Sequence, residues 1–197
     1  MYINDTHILV YVIIGLAGIL VGQFIDWCNK RMSDYKKVFS KEFFTEYFRN
    51  FKPNYILISI TLVMFLGLVY FFGVSIDLFK YLFLTPMLLI AFCIDYKLQI
   101  IPNRLTLTMF EIGLIFIFMQ VIINTNIGIN TFLNSILGMF LGGGLFLIIT
   151  LIGELIAKKE AMGFGDIKLI GTLGLFLGKT NIISTIIIAF LIAAIAS

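Results

Sequence analysis

Charge is scarce in this chain: 13% of its 197 residues are Asp, Glu, Lys or Arg, against 60% apolar residues. With a mean hydropathy of +1.07, that balance points to an integral membrane protein. Net charge is also small, at +3, and the 15% aromatic content suits lipid-facing and interfacial positions, so no nucleic-acid partner is implied. Cysteine is nearly absent. Cys28 and Cys93 stand alone, without CxxC spacing or the density of a disulfide scaffold, and read as small apolar filler. No basic n-region opens the chain, because residues 1–7 (MYINDTH) lack Lys and Arg. The first apolar run ends at Trp27-Cys28 without a small-residue cleavage site, so it is expected to be retained as a span. No internal repeat or low-complexity linker stands out.

What is present is a series of apolar segments, near 8–27, 55–74, 78–94, 105–123, 131–157, 167–178 and 181–196. Backbone in lipid must satisfy its own polar groups, so the expected fold class is all-α: a polytopic membrane helical bundle of about seven spans forming one domain over 1–197. The last two segments are short. They can also be read as one broken hairpin, or as a sixth span extended across Lys179.

Lys and Arg favour the cytoplasmic face. With the N-terminus outside, the cytoplasmic segments 28–54, 95–104 and 158–168 hold seven, two and three basic residues, twelve of the chain's fourteen. Lys80 and Lys179 fall outside, the outer connection NTNIGIN (124–130) is uncharged, and the C-terminus falls inside. The basic loop at 29–54 carries Phe and Tyr at 43, 44, 47, 48 and 51, a spacing that predicts an amphipathic surface helix. Gly18 with Gly22, and Gly138 with Gly142, stand in GxxxG register and predict close helix packing within the monomer.

Acids near the bilayer are costly and normally pair, face a cavity or do chemistry. Asp26, followed by Trp27, Lys30 and Arg31, reads as an interfacial anchor, and Glu154 lies four residues before Lys158 in a favourable pairing register. Glu111 lies two turns into its span with Arg104 on its face, which makes it a salt-bridge partner, a cavity wall or a supporting group. Asp95 closes the third segment and Asp166 opens the sixth, so antiparallel helices would deliver both to the cytoplasmic mouth. Topology alone favours reading each as an ordinary helix-boundary acid, with Asp166 favourably placed at a helix N-terminus.

Gly163-Phe164-Gly165-Asp166 carries the GxGD signature of one class of membrane aspartyl proteases. Two glycines there permit a sharp bend and the approach of an extended substrate chain. The chain resembles the type IV prepilin peptidase family, also called prepilin leader peptidases. "GLAGILVGQFIDWCNKR" resembles that family's first-helix block, "IDYKLQIIPNRLTL" its first aspartate block with the following Ile-Pro, and "EAMGFGDIKLIGTLGLFLG" its second. The resemblance implies Asp95 and Asp166 as the catalytic pair, with Gly163, Gly165, Lys168 and Pro102 as motif companions.

The chemistry so implied is peptide hydrolysis by two carboxylates that share a proton, one activating water and the other protonating the scissile carbonyl. It needs no metal. Substrates would be prepilin or pseudopilin proteins, cut just after a leader glycine at the cytoplasmic face of a bacterial cell membrane. Lys168 would bias the pair or bind lipid phosphate.

Three departures stand out. Paired CxxC zinc motifs are missing from the first loop, so no zinc is expected, and the site of the family's S-adenosylmethionine-dependent N-methylation is not recognisable. Gln23 and Asp26 replace the family's usual Ser and Asn. A final helix with an IPFGP-like motif has no counterpart before Ser197, as in a shortened form. A transporter binding a proton or cation at Asp95, Asp166 and Glu111 is the competing reading, although these acids cluster toward one face rather than at a midplane between repeats. Oligomeric state is not fixed by the sequence.

Overall fold

A computed structural model describes all residues except 1, 5, 35–37, 39–52, 124, 159–162 and 197. The aromatic helix expected within 29–54 therefore lies largely outside the described residues. The chain divides into two compact units, Met1–Gln99 and Ile100–Ser197.

The first unit opens with a two-residue strand pair, β1 (Tyr2–Ile3) and β2 (Thr6–His7), antiparallel with Tyr2 opposite His7. Three helices follow: α1 (Ile8–Ser33), α2 (Tyr55–Phe72) and α3 (Ile76–Leu98). The strand pair is tied down where Asn4 Nδ2 donates to the Tyr70 carbonyl at 2.7 Å. It also starts α1, because His7 Nδ1 accepts from the Leu9 N–H at 3.3 Å and caps the helix.

The glycines of α1 are used inside this unit. A Cβ on Gly18 would stand 3.3 Å from Leu62 Cα, and one on Gly22 would stand 2.7 Å from Ile58 Cα, so α2 lies directly on the backbone of α1. In lipid, where no hydrophobic force drives helices together, such close packing is what holds a pair. Below it sits a polar clasp. Asn54 caps α2 by accepting from the Leu57 N–H at 3.4 Å, donates its side-chain amide to Asp26 Oδ1 at 3.0 Å, and gives its backbone N–H to Gln23 Oε1 at 3.3 Å. Asp26 is 8% exposed, and its second oxygen meets Lys30 Nζ at 2.5 Å. Gln23 and Asp26 thus hold the C-terminal end of α1 to the start of α2.

The second unit contains α4 (Asn103–Ile123), α5 (Thr125–Ala157) and α6 (Phe164–Ala196). Helices α4 and α5 reverse direction abruptly. A Cβ on Gly128 would stand 2.7 Å from Val121 Cα, and the Phe118 and Phe132 rings lie 6.2 Å apart. Most of the connection expected at 124–130 is accordingly the first turns of α5 rather than a loop.

The stretch α6 is two helical arms joined at Gly178 rather than one straight helix. Gly178 has φ 75° and ψ 173°, outside the helical region. Gly142 of α5 approaches both the Ile170 carbonyl (2.9 Å from an ideal Cβ) and the Ile182 side chain (3.1 Å). In a straight helix those twelve residues would span about 18 Å, so one glycine meets both only if α6 doubles back. Pairings along α5 agree: Gly143 lies on Gly171, Gly138 on Gly174 and Gly178, and Phe146 stacks with Phe190 at 6.0 Å. The first arm (164–177) runs antiparallel to α5, and the second (179–196) runs parallel to it. The hairpin alternative for the last two apolar segments is therefore the observed one.

Among the described residues six helical stretches have the length and apolar character to cross a membrane, counting Phe164–Ile192 as one although its two arms fold back on each other at Gly178. Large apolar side chains such as Ile13, Val63, Phe92 and Ile122 stand on the helix surfaces, as a multi-pass membrane protein requires.

Candidate active-site residues

Asp95 lies in the first unit, within the last turn of α3. That helix is started by Ser75, whose Oγ accepts from the Leu78 N–H at 3.2 Å, and it carries Asp77 in its first turn. It ends at Gln99, which takes the left-handed conformation (φ 52°, ψ 36°) and donates its N–H to the Asp95 carbonyl at 2.8 Å. Helical structure outlasts the apolar run by four residues, so Asp95 sits inside the helix rather than just after it. Ile90, Ala91 and Ile94 are buried in the unit, whereas Asp95, Tyr96, Lys97 and Leu98 are exposed. A carboxylate in a last helical turn faces the negative end of the helix dipole. Helix stability therefore offers no reason for an acid at this position.

Asp166 lies in the second unit, in the first turn of α6, where an anion is favoured. Its N–H donates to the Gly163 carbonyl at 3.0 Å. Its carboxylate folds back over the same residue, with Oδ2 3.2 Å from where a Gly163 Cβ would be. Gly165 is covered by its own chain, since a Cβ there would stand 3.1 Å from Ile101 Cβ and 3.5 Å from the Ile101 carbonyl oxygen. Neither glycine has a positive φ. The sharp bend and open substrate approach expected of both glycines are thus replaced at Gly165 by an internal close contact, while Gly163 lies under the carboxylate.

Residues after Asp95 in the sequence complete this corner of the second unit. Ile101 fills the space over Gly165. The Pro102 carbonyl accepts from the Leu105 and Thr106 N–H groups at 3.0 and 3.3 Å and so begins α4. Asn103 Oδ1 accepts from Lys168 Nζ at 2.9 Å, and the Lys168 ammonium lies 4.7 Å from the Phe164 ring centroid. Sequence reasoning singled out Pro102 and Lys168 but passed over Ile101 and Asn103. The signal available for them was their place in the quoted Ile-Ile-Pro-Asn block.

Glu111 stands exposed on α4, and among the described residues it makes no ion pair with Arg104. Lys158 ends α5 through its backbone, with φ 50° and an N–H to the Glu154 carbonyl at 2.9 Å. Among the described residues no group of three or more His, Cys, Asp or Glu side chains is placed to hold a metal ion.

The model of the type IV leader peptidase family matches residues 82–197, more than half of the chain, and takes in both aspartates. The chain belongs to the type IV leader peptidase family. Similar proteins include a prepilin leader peptidase/N-methyltransferase of Klebsiella pneumoniae, 29% identical over 138 residues that cover 70% of this chain and 58% of that protein. A protein of the same description from Neisseria gonorrhoeae is 31% identical over 116 residues, covering 59% of this chain and 38% of its own. A third, from Escherichia coli (strain K12), is 28% identical over 114 residues, 54% and 48% of the two chains. This leader peptidase family member thus spans between 38% and 58% of the length of these relatives. No solved structure matches it.

Proposed function

We propose that this protein is a membrane aspartyl endopeptidase of the bacterial inner membrane that removes the leader from prepilin or pseudopilin proteins. In this reading Asp95 and Asp166 act together as the catalytic pair of a single protease domain. The observation that carries it is the corner around Asp166: the chain that continues from Asp95 packs Ile101 onto Gly165 and bonds Asn103 to Lys168, on either side of the acid. The short stretch from Asp95 to Ile101 therefore links the two aspartate blocks.

A catalytic pair of carboxylates works by sharing one proton, because two cannot ionise easily side by side. The ionised carboxylate takes a proton from water as that water attacks the scissile carbonyl carbon. The protonated carboxyl gives its proton to the carbonyl oxygen. Collapse of the tetrahedral intermediate then returns a proton to the departing amine, and no covalent enzyme intermediate forms. The excess of Lys and Arg at the Asp95 and Asp166 helix ends supports a cytoplasmic location for each, where the junction between a basic leader and an apolar helix would lie.

The relatives' names include N-methyltransferase. The cleft between α4, α5 and α6 offers Lys168 and Asn103 as its side chains with hydrogen-bonding capacity to spare and, among the described residues, no carboxylate for a sulfonium cation. That donor set does not fit S-adenosylmethionine, and no methyl transfer is assigned to it.

The test is leader removal from a prepilin by purified protein in lipid, compared with Asp95→Asn and Asp166→Asn at equal folded amount. Each substitution is expected to slow cleavage by at least on the order of 10²–10⁴-fold. Retained cleavage in either would remove the dyad and bring back proton- or cation-coupled transport.

A further inference from the structure

In the second unit a cleft of about 630 Å³ opens between α4, α5 and the first arm of α6. One end is polar, formed by Lys168 and Asn103, and the rest is walled by Phe110, Met139, Phe140 and Leu147. Two threonines on its wall present no spare donor: Thr106 Oγ1 donates to the Asn103 carbonyl at 3.0 Å, and Thr172 Oγ1 to the Lys168 carbonyl at 2.8 Å. Gly143 and Gly144 keep the α5 side low. A Cβ on Gly144 would meet nothing within 4 Å.

Dimensions choose the occupant. The α5 wall from Met139 to Leu147 is about 12 Å long at 1.5 Å per residue. That matches one leaflet of a hydrocarbon core of about 30 Å, whereas a membrane-spanning substrate helix would need a groove about twice as long. Charge agrees. The Lys168 ammonium has three donors, of which one goes to Asn103, and among the described residues no carboxylate pairs with it. Asp166, two residues earlier on the same helix, points to a different face. The helix starts at Asn103 and Phe164 add the positive ends of two dipoles at the same spot.

We propose that this cleft is a phospholipid site, with one acyl chain along Phe110, Met139 and Phe140 and the headgroup phosphate held by the Lys168 ammonium and the Asn103 amide. Net negative lipids are favoured over zwitterionic ones, because among the described residues no anionic side chain pairs with the Lys168 cation at the mouth. The site does not depend on the proteolytic reading, since it makes no use of either aspartate.

Native mass spectrometry of the full-length protein in detergent, with phosphatidylglycerol or phosphatidylcholine of matched chains, tests this directly. The wild-type protein is expected to retain phosphatidylglycerol preferentially. Lys168→Gln should lower that retention about fivefold while Lys168→Arg preserves it. Gly144→Leu, which fills the cleft at a position with open space, should lower retention of both lipids. Equal retention of the two lipids by the wild-type protein would overturn the proposal, as would unchanged retention in both Lys168→Gln and Gly144→Leu. Stoichiometric displacement of bound lipid by an apolar prepilin-helix peptide would give the cleft to substrate instead and would also overturn it. A protein inactive in leader cleavage that still shows the lipid preference would leave the site standing.

Discussion

Gly165 and Ile101 share one space: a Cβ on the glycine would stand 3.1 Å from the Cβ of the isoleucine, closer than side chains normally pack. Gly165→Ala is therefore expected to push Ile101 off the start of α6 and to destabilise the second unit by about 1–3 kcal/mol, the usual cost of overpacking. Trimming the neighbour relieves the crowding, so Ile101→Val should recover part of the loss in the double variant. Denaturant unfolding of the four proteins of that cycle measures the coupling, and simple additivity would contradict the contact.

The α5–α6 crossing makes a sharper contrast. A Cβ on Gly138 would overlap the Gly174 carbonyl oxygen, and one on Gly174 would overlap the Gly138 carbonyl oxygen, whereas a Cβ on Gly67 in α2 meets nothing within 4 Å. Gly138→Ala or Gly174→Ala should separate the two helices and cost about 3 kcal/mol or more, at the upper end of overpacking. Gly67→Ala should be neutral or stabilising by up to about 1 kcal/mol, through helix propensity. Thermal unfolding in one detergent reports all three.

Gly178 is where a side chain conflicts with backbone conformation. Its φ of 75° disfavours any L side chain, and a Cβ would stand 2.5 Å from Asn134 Nδ2. Gly178→Ala should cost about 1–3 kcal/mol from the backbone alone. Asn134→Ala removes the acceptor for the Lys179 N–H, now 3.2 Å away, and should cost about 1 kcal/mol, as for a lost helix cap. A cysteine pair at 170 and 182 offers a direct readout of the fold-back: rapid crosslinking is expected, and none would mean a straight helix.

In the first unit, Asn54→Ala strips α2 of its cap and leaves Asp26 Oδ1 without its amide donor. An expected loss of about 1–3 kcal/mol follows. Lys30→Ala should cost less, within about 1 kcal/mol, because the Lys30 side chain is 61% exposed and such pairs are screened. Unfolding midpoints of the two variants decide the order.

The helical architecture was legible because lipid leaves the backbone few choices, and an apolar run announces each span. Glycine pairs 18/22 and 138/142 were legible as packing seams for the same reason. The direction of the chain after Gly178 was not, since hydropathy records which residues are apolar and not which way they run; Gly-Lys-Thr-Asn there offered only a choice of readings. Around Asp166 the acid and its glycines could be picked out by pattern, but the use of Gly165 depends on Ile101, 64 positions away, and no local pattern encodes that contact. Glu111 misled through spacing. Arg104 shares its face seven residues earlier, yet both side chains are exposed and no ion pair joins them among the described residues.

The fold-back at Gly178 also sets a thickness. Residues 164–177 make an arm of about 21 Å, some 9 Å short of a typical hydrocarbon core. Asn130, Asn134 and Lys179 gather at its far end, so polar groups fill the shortfall. Lipid beside that arm must thin or tilt to keep its own tails covered, which mismatched bilayers do at a fraction of a kcal/mol per Å. That mismatch falls only on the lipid against the first arm of α6, because α4 and α5 of the same unit are long enough to span the core.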